Sequence, residues 1–240
     1  YIVDKRQSLH FVQVFRCARK AELVPPETEL KHLGFGTMNG TDGKPFKTRA
    51  GGVMRLSDLI QTATDGALEK LSGSEYVEGD KLKAAEKIGV AAIKFGDLCN
   101  QPSKDYVFDL GKFLSFDGKT GTYLLYTVTR INSILKKAGI AYTDTLDING
   151  IYTDTERELA LLFALSAETY AKAFEDMAPC VLCDNAYSIA SVFSRFYHDN
   201  RILSEPDEKK RSSWLALSLL ARKILTKHLD ILAIDYVENM

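Results

Sequence analysis

Cysteine, proline and tryptophan are scarce in these 240 residues, at four, six and one. No apolar run approaches the roughly 18 to 20 residues needed to cross a bilayer. Four scattered cysteines, Cys17, Cys99, Cys180 and Cys183, are too few for a disulfide framework, which points to a reducing compartment, the cytoplasm. Charge of one sign is also lacking. Thirty-one basic residues against 32 acidic ones leave a net charge of -1, so any nucleic-acid footprint must be a local patch. Repeats and low-complexity tracts are absent, which excludes solenoid, collagen-like and disordered classes. Gly-x-Ser-x-Gly, His-Glu-x-x-His, Walker-type and dinucleotide fingerprints are missing too. Cys180-x-x-Cys183 has no second ligand pair at zinc spacing, and the four histidines lie far apart, so no metal site is expected. There is no initiator Met and no signal-peptide organisation at Tyr1-Ile2-Val3, so the chain reads as a piece cut from a longer protein at a strand.

What is present is an ordinary globular composition, 45% apolar and 26% charged, enough for one large domain or two small ones. Tyr1-Ile2-Val3 followed by Ser8 as N-cap, then Phe11, Val14, Phe15 and Ala18 at i, i+3, i+4, i+7, predicts strand then amphipathic helix, half of a βαβ unit. Extended runs at 29–38 and 45–54 around Asn39-Gly40-Thr41-Asp42-Gly43 suggest a hairpin or paired loop. From Arg55 the period becomes helical, with Leu56, Ile60, Ala63, Ala67 and Leu71 in one stripe. A second helix, 80–99, carries Gly89 and Gly96, able to admit a neighbouring backbone. Asn100-Gln101-Pro102-Ser103 places a boundary near 103, giving domains 1–103 and 104–240. Beyond it helices are predicted at 109–116, 120–138, 154–177, 179–202 and 206–234, with Asp154 as an N-cap and Pro179 and Pro206 in first turns.

The densest chemistry lies between Gly34 and Gly52, where six glycines surround Lys44, Lys47 and Arg49. Open backbone amides and mobile cations suit a polyphosphate, and a solvated flexible hairpin is the equal alternative. Further on, Tyr123, Tyr126 and Arg130 at i, i+3, i+7 could face RNA as an aromatic and cationic surface or pack between helices. Phe193 and Tyr197 stand at i, i+4, which by spacing alone suits a half-buried aromatic pair.

Three separated stretches carry a family resemblance. Lys31-His32-Leu33-Gly34-Phe35-Gly36 with Gly43-Lys44-Pro45-Phe46-Lys47-Thr48-Arg49-Ala50-Gly51-Gly52-Val53 and Leu56-Ser57-Asp58-Leu59 resembles the later part of the arginyl-tRNA synthetase catalytic domain. Tyr1-Ile2-Val3-Asp4-Lys5-Arg6-Gln7-Ser8-Leu9-His10 is similar to that family's strand leading to its arginine-binding Gln. Asp117-Gly118-Lys119-Thr120-Gly121-Thr122-Tyr123-Leu124-Leu125-Tyr126 with Arg130-Ile131-Asn132-Ser133-Ile134-Leu135 resembles the opening of its anticodon-binding domain. Thr122 stands where the family has Pro, Lys119 where it has Asn, and Val237-Glu238-Asn239-Met240 lacks the common Pro and Arg.

The resemblance implies an α/β remnant, the second half of a class I Rossmann-type catalytic domain, followed by an all-α anticodon-binding helical bundle. It implies an arginine-tRNA ligase that in full length activates arginine with ATP, magnesium accompanying the nucleotide, releases pyrophosphate and charges tRNA-Arg. A monomer with no membrane attachment is the implied full-length form, and this piece alone is expected to be inactive. A tRNA-binding module without catalysis is the alternative. Gln7 then contacts arginine, its amide oxygen accepting from the guanidinium; capping its own helix is the structural alternative. Lys44, Lys47, Thr48 and Arg49 occupy the class I signature loop, whose register the sequence leaves open. His32, Phe35 and Gly36 border the nucleotide, His32 alternatively being a hydrogen-bonded core residue. Tyr123, Tyr126, Arg130, Phe193, Tyr197 and Met240 are the implied tRNA contacts.

Overall fold

A computed structural model of the chain describes residues 1–44, 55–71 and 78–238, with positions 78 and 79 described through their backbone alone. The chain forms two compact units, residues 1–53 with 100–109, and residues 54–99 with 110–240.

The first unit opens with β1 (Ile2–Asp4), a 3-10 turn at Lys5–Gln7 and α1 (Ser8–Lys20), then returns in β2 (Leu33–Phe35). β1 and β2 are parallel, Asp4 opposite Phe35. The half of a βαβ unit read from the sequence is therefore completed by β2. Ser8 is not the cap. Its hydroxyl donates to the Lys5 carbonyl at 2.6 Å, while Asp4 accepts from the Arg6 amide and holds the intervening turn. Tyr1, Phe11 and Phe15 pack ring to ring at 5.1–5.7 Å and fasten α1 to the strands. Val14, on the predicted stripe, faces out instead. A second parallel pair joins β3 (Met38–Asn39) to β4 (Tyr106–Val107). The partner of β3 thus comes from far along the chain rather than from a hairpin, and the run 45–54 lies outside the described residues.

The second unit is helical: α2 (Leu56–Lys70), α3 (Glu78–Leu98), α4 (Leu110–Phe113), α5 (Gly121–Lys137), α6 (Asp154–Ala164), α7 (Ser166–Glu175), α8 (Cys180–Asp199) and α9 (Glu208–Ile231). One core runs through it, with Phe95, Leu125, Ile131, Phe193, Phe196 and Leu217 fully buried. Glycine sets two close crossings. A Cβ on Gly89 would lie 2.8 Å from the Ala63–Thr64 backbone of α2, and one on Gly121 2.5 Å from the Ala91 carbonyl of α3. Gly96, expected to admit a backbone, admits the ring of Phe113 instead.

Three helix starts sit next to their predicted residues. Thr153, not Asp154, caps α6, its hydroxyl accepting from the Glu156 amide. The Glu156 carboxylate reaches back to the Tyr152 amide and the Thr153 hydroxyl, and takes the Trp214 indole N–H at 2.9 Å, so a fully buried acid is met by three donors. Pro179 is the N-cap of α8, and Pro206 stands just before Asp207, which caps α9. The single helix expected over 154–177 is broken at Leu165, where the Ser166 hydroxyl donates to the Leu162 carbonyl. Among the described residues no helix is long and apolar enough to cross a membrane.

Candidate functional site

In the first unit the chain leaves β1 and β2 at neighbouring carboxyl ends, the place where open α/β sheets present ligand-binding residues. Gln7 follows one strand and Phe35-Gly36 follows the other, so the parallel pairing brings these two predicted positions to one end of the strand pair. Gln7 stands at the N-cap position of α1, and its exposed side chain makes no cap hydrogen bond to the helix. Gly36 donates its amide to the Pro102 carbonyl at 2.8 Å. A Cβ there would fall 2.2 Å from the Lys104 carbonyl oxygen, so only glycine fits. Phe35 is 43% exposed. His32 is engaged structurally: its ring stacks on Phe11 at 4.7 Å and its Nε2 lies 3.1 Å from the Val3 carbonyl.

Charged groups brace this end. Lys5 donates to Asp105 at 2.8 Å and to the Ser103 carbonyl, and Asp105 also accepts from the Thr37 amide. These donors, the Lys5 ammonium foremost, lower the Asp105 carboxyl to about 2. The Arg6 guanidinium and amide bring Asp4 to about 2 in the same way. Lys44 closes a turn, its carbonyl accepting from Gly40 and its amide donating to Asp42, with Gly43 at a φ of 74°. Lys47, Thr48 and Arg49 lie outside the described residues, as does Met240.

In the helical unit, Tyr126 and Arg130 stand one turn apart on α5, and Tyr197 comes from α8. The Arg130 guanidinium lies 4.6 Å from the Tyr126 ring centroid and 5.2 Å from that of Tyr197, and it donates to the Tyr126 hydroxyl. A cation held between two rings is preorganised, with its outer N–H groups available to a partner. Arg130 lines two cavities. One, of about 550 Å³, is walled by Lys70, Leu71, Phe116, Asp117, Tyr123, Tyr126 and Ser194. The other, of about 440 Å³, is walled by Tyr197, His198, Asn200, Arg201 and the 202–204 turn.

Two predicted contacts are placed differently. The Tyr123 hydroxyl donates to Ser194 at 3.0 Å, so its outer end is tied to α8 while its flank lines the larger cavity. Phe193 is fully buried against Phe196 and belongs to the core. Wall residues such as Lys70, Phe116, Ser194, Asn200 and Arg201 carry no site signal in the sequence, and Asp117 enters there only through the family resemblance. They come from separate segments that no single period links.

Two family models match consecutive stretches: tRNA synthetases class I (R), catalytic domain, over residues 1–110, and the DALR anticodon binding domain over residues 124–240. An arginine–tRNA ligase of Alkaliphilus oremlandii is 47% identical over 242 residues, covering the whole chain and 41% of that relative. One of Agathobacter rectalis is 43% identical over 251 residues, covering the whole chain and 42% of its length. The solved arginyl-tRNA synthetase of Thermus thermophilus superposes with a TM-score of 0.85 at 28% identity, covering the whole chain and 40% of that structure. The chain thus spans about two-fifths of the length of the relatives it matches. Matched from end to end at these identities, by a class I catalytic stretch followed by an anticodon-binding stretch, the chain belongs to the arginyl-tRNA synthetase family.

Proposed function

We propose that the chain is the part of an arginine-tRNA ligase that carries one face of the ATP and arginine site and the surface that holds the anticodon loop of tRNA-Arg. The observation that carries the reading is Arg130 clasped between Tyr126 and Tyr197 at the meeting of two cavities, within the stretch matched to an anticodon-binding domain. Unstacked bases take aromatic and guanidinium faces, and the same guanidinium takes a phosphate. In the first unit, the uncommitted Gln7 amide suits the guanidinium of arginine. Gly36 and Phe35 border the nucleotide, with His32 behind them as a support. Lys44, together with Lys47, Thr48 and Arg49, offsets the charge of departing pyrophosphate, ATP entering as its magnesium complex. The four cysteines, too scattered for a disulfide framework, suit the reducing cytoplasm, and a monomer is the proposed full-length state.

The test is retention of tRNA-Arg and of an anticodon-altered version by the purified chain over a salt series. Preference for the native anticodon is expected. Equal binding that vanishes with salt would reduce the surface to phosphate contact, and no binding would refute the reading. The same preparation is expected to give no arginine-dependent ATP–pyrophosphate exchange, since preorganised catalysis draws on groups throughout the longer enzyme.

A further inference from the structure

We infer that the apolar cavity at the ends of α7 and α9 binds a small carboxylic acid with an aliphatic tail, the Lys227 ammonium pairing with its carboxylate. The site lies wholly in the helical unit and is independent of the tRNA reading.

The cavity, of about 620 Å³, has the size of a small-molecule site. Its apolar wall draws on four helices, with Leu98 at the end of α3, Ala173 and Phe174 on α7, Leu182 on α8 and Ile231 on α9. Leu182 is buried, whereas Phe174 is 83% exposed. An aromatic ring left open beside an apolar recess has surface to bury on an occupant.

Both α7 and α9 end in the same way. The Ala178 amide donates to the Ala173 carbonyl at 3.0 Å and the Ile234 amide to the Leu229 carbonyl at 2.8 Å, with Met177 and Ala233 in the left-handed region at φ of 47° and 54°. Glycine is the ordinary residue at that position. Of the three non-glycine residues at positive φ among the described residues, these two line this one cavity. Neither helix end gains from carrying a side chain there, so what the side chains serve is the wall they share.

Lys227 is the one charged residue of that wall; it is exposed, and no ion pair engages it among the described residues. The Tyr170 hydroxyl is already engaged, 3.2 Å from His228 Nδ1. A second ammonium, that of Lys94, donates to the Ala233 carbonyl and so stands beside the same wall. A ligand with a single anionic head meets this arrangement. A cationic head is repelled, and a neutral one forgoes the charge-assisted bond. An aliphatic tail suits the leucine, isoleucine and proline side chains that make up the rest.

The experiment is a titration of the chain, isotope-labelled in its four methionine methyls, by octanoate, octanol and octylammonium in parallel. Met177→Leu assigns the reporting resonance. Octanoate is expected to shift Met177 alone, with half-saturation about tenfold lower than for octanol, and octylammonium to leave it in place. In Lys227→Gln the response to octanoate is expected to fall to within about twofold of that to octanol. Ala173→Phe, which fills the recess, is expected to abolish the shift, and circular dichroism of both variants should match the parent. A Met177 resonance unmoved by octanoate, a shift shared by all the methionines, an equal response to the three compounds, or a Lys227→Gln chain that keeps the preference for octanoate overturns the site.

Discussion

Arg130 makes a test in which charge and shape separate. Its guanidinium lies within 5.2 Å of both the Tyr126 and Tyr197 ring centroids and lines both cavities, so Arg130→Ala removes a cation and the planar group set against the two rings. One phosphate contact on a single-stranded loop contributes about 0.7 to the slope of log K against log salt. Its loss therefore lowers binding about fivefold for each tenfold dilution of salt from the common intercept. Loss of ring stacking adds a salt-independent term of about 1–3 kcal/mol per base released. Arg130→Lys keeps the charge and loses the plane, so it should retain the parent slope with weaker binding at every salt concentration. Arg130→Ala should lose both. Filter retention of tRNA-Arg at five or six salt concentrations resolves the two effects. An Arg130→Ala line that superposes on the parent in slope and intercept would refute the placement of RNA on this face.

Three further outcomes test the packing that holds the face in place. Glu156→Ala leaves the Trp214 indole, the Tyr152 amide and the Thr153 hydroxyl without their acceptor, and should cost about 3 kcal/mol or more in urea unfolding, against roughly half that for Glu156→Gln. The emission of Trp214, the only tryptophan, reports the transition directly, and a loss below about 1 kcal/mol would contradict the network. Gly89→Ala drives a methyl into the α2 backbone and should destabilise by about 1–3 kcal/mol, and an unchanged urea midpoint would refute the close crossing. Burial depresses His228, whose Nδ1 lies 2.8 Å from the Ile224 carbonyl and whose Nε2 has no hydrogen-bond partner among the described residues. Because its folded value lies below the ordinary 6.5, its stabilisation is complete above that pH and declines as pH falls below it, with a slope limited to about 1.4 kcal/mol per unit. Urea midpoints of His228→Phe between pH 7 and 5 should fall less than those of the parent, and parallel curves would refute the assignment.

The helical unit was legible in the sequence because its signals are local. Ala63, Ala67 and Leu71 keep the 3.6 period, and all three are buried where the pattern puts them. Caps moved by one position because Thr153 and Asp154, or Ser8 and its neighbours, offer equivalent oxygens, and only backbone geometry chooses between them. Strand pairing was harder to read. β3 finds β4 across the whole of α2 and α3, and two-residue strands carry no alternation to announce the match.

Phe193 and Tyr197 show where spacing stops short of function. Four residues on a helix advance about 40° beyond a full turn, enough to move a side chain from the core to its margin. Phe193 is fully buried and Tyr197 is 39% exposed, although the sequence places them on one face. What completes the site is Arg130, which reaches Tyr197 from another helix and turns a pair on α5 into a three-sided surface. Such a surface is defined by the angle between α5 and α8. Phe193 lies one turn before Tyr197 on α8 and is buried in the common core with Leu125 and Ile189, so it acts on the face proposed for tRNA by fixing where Tyr197 stands.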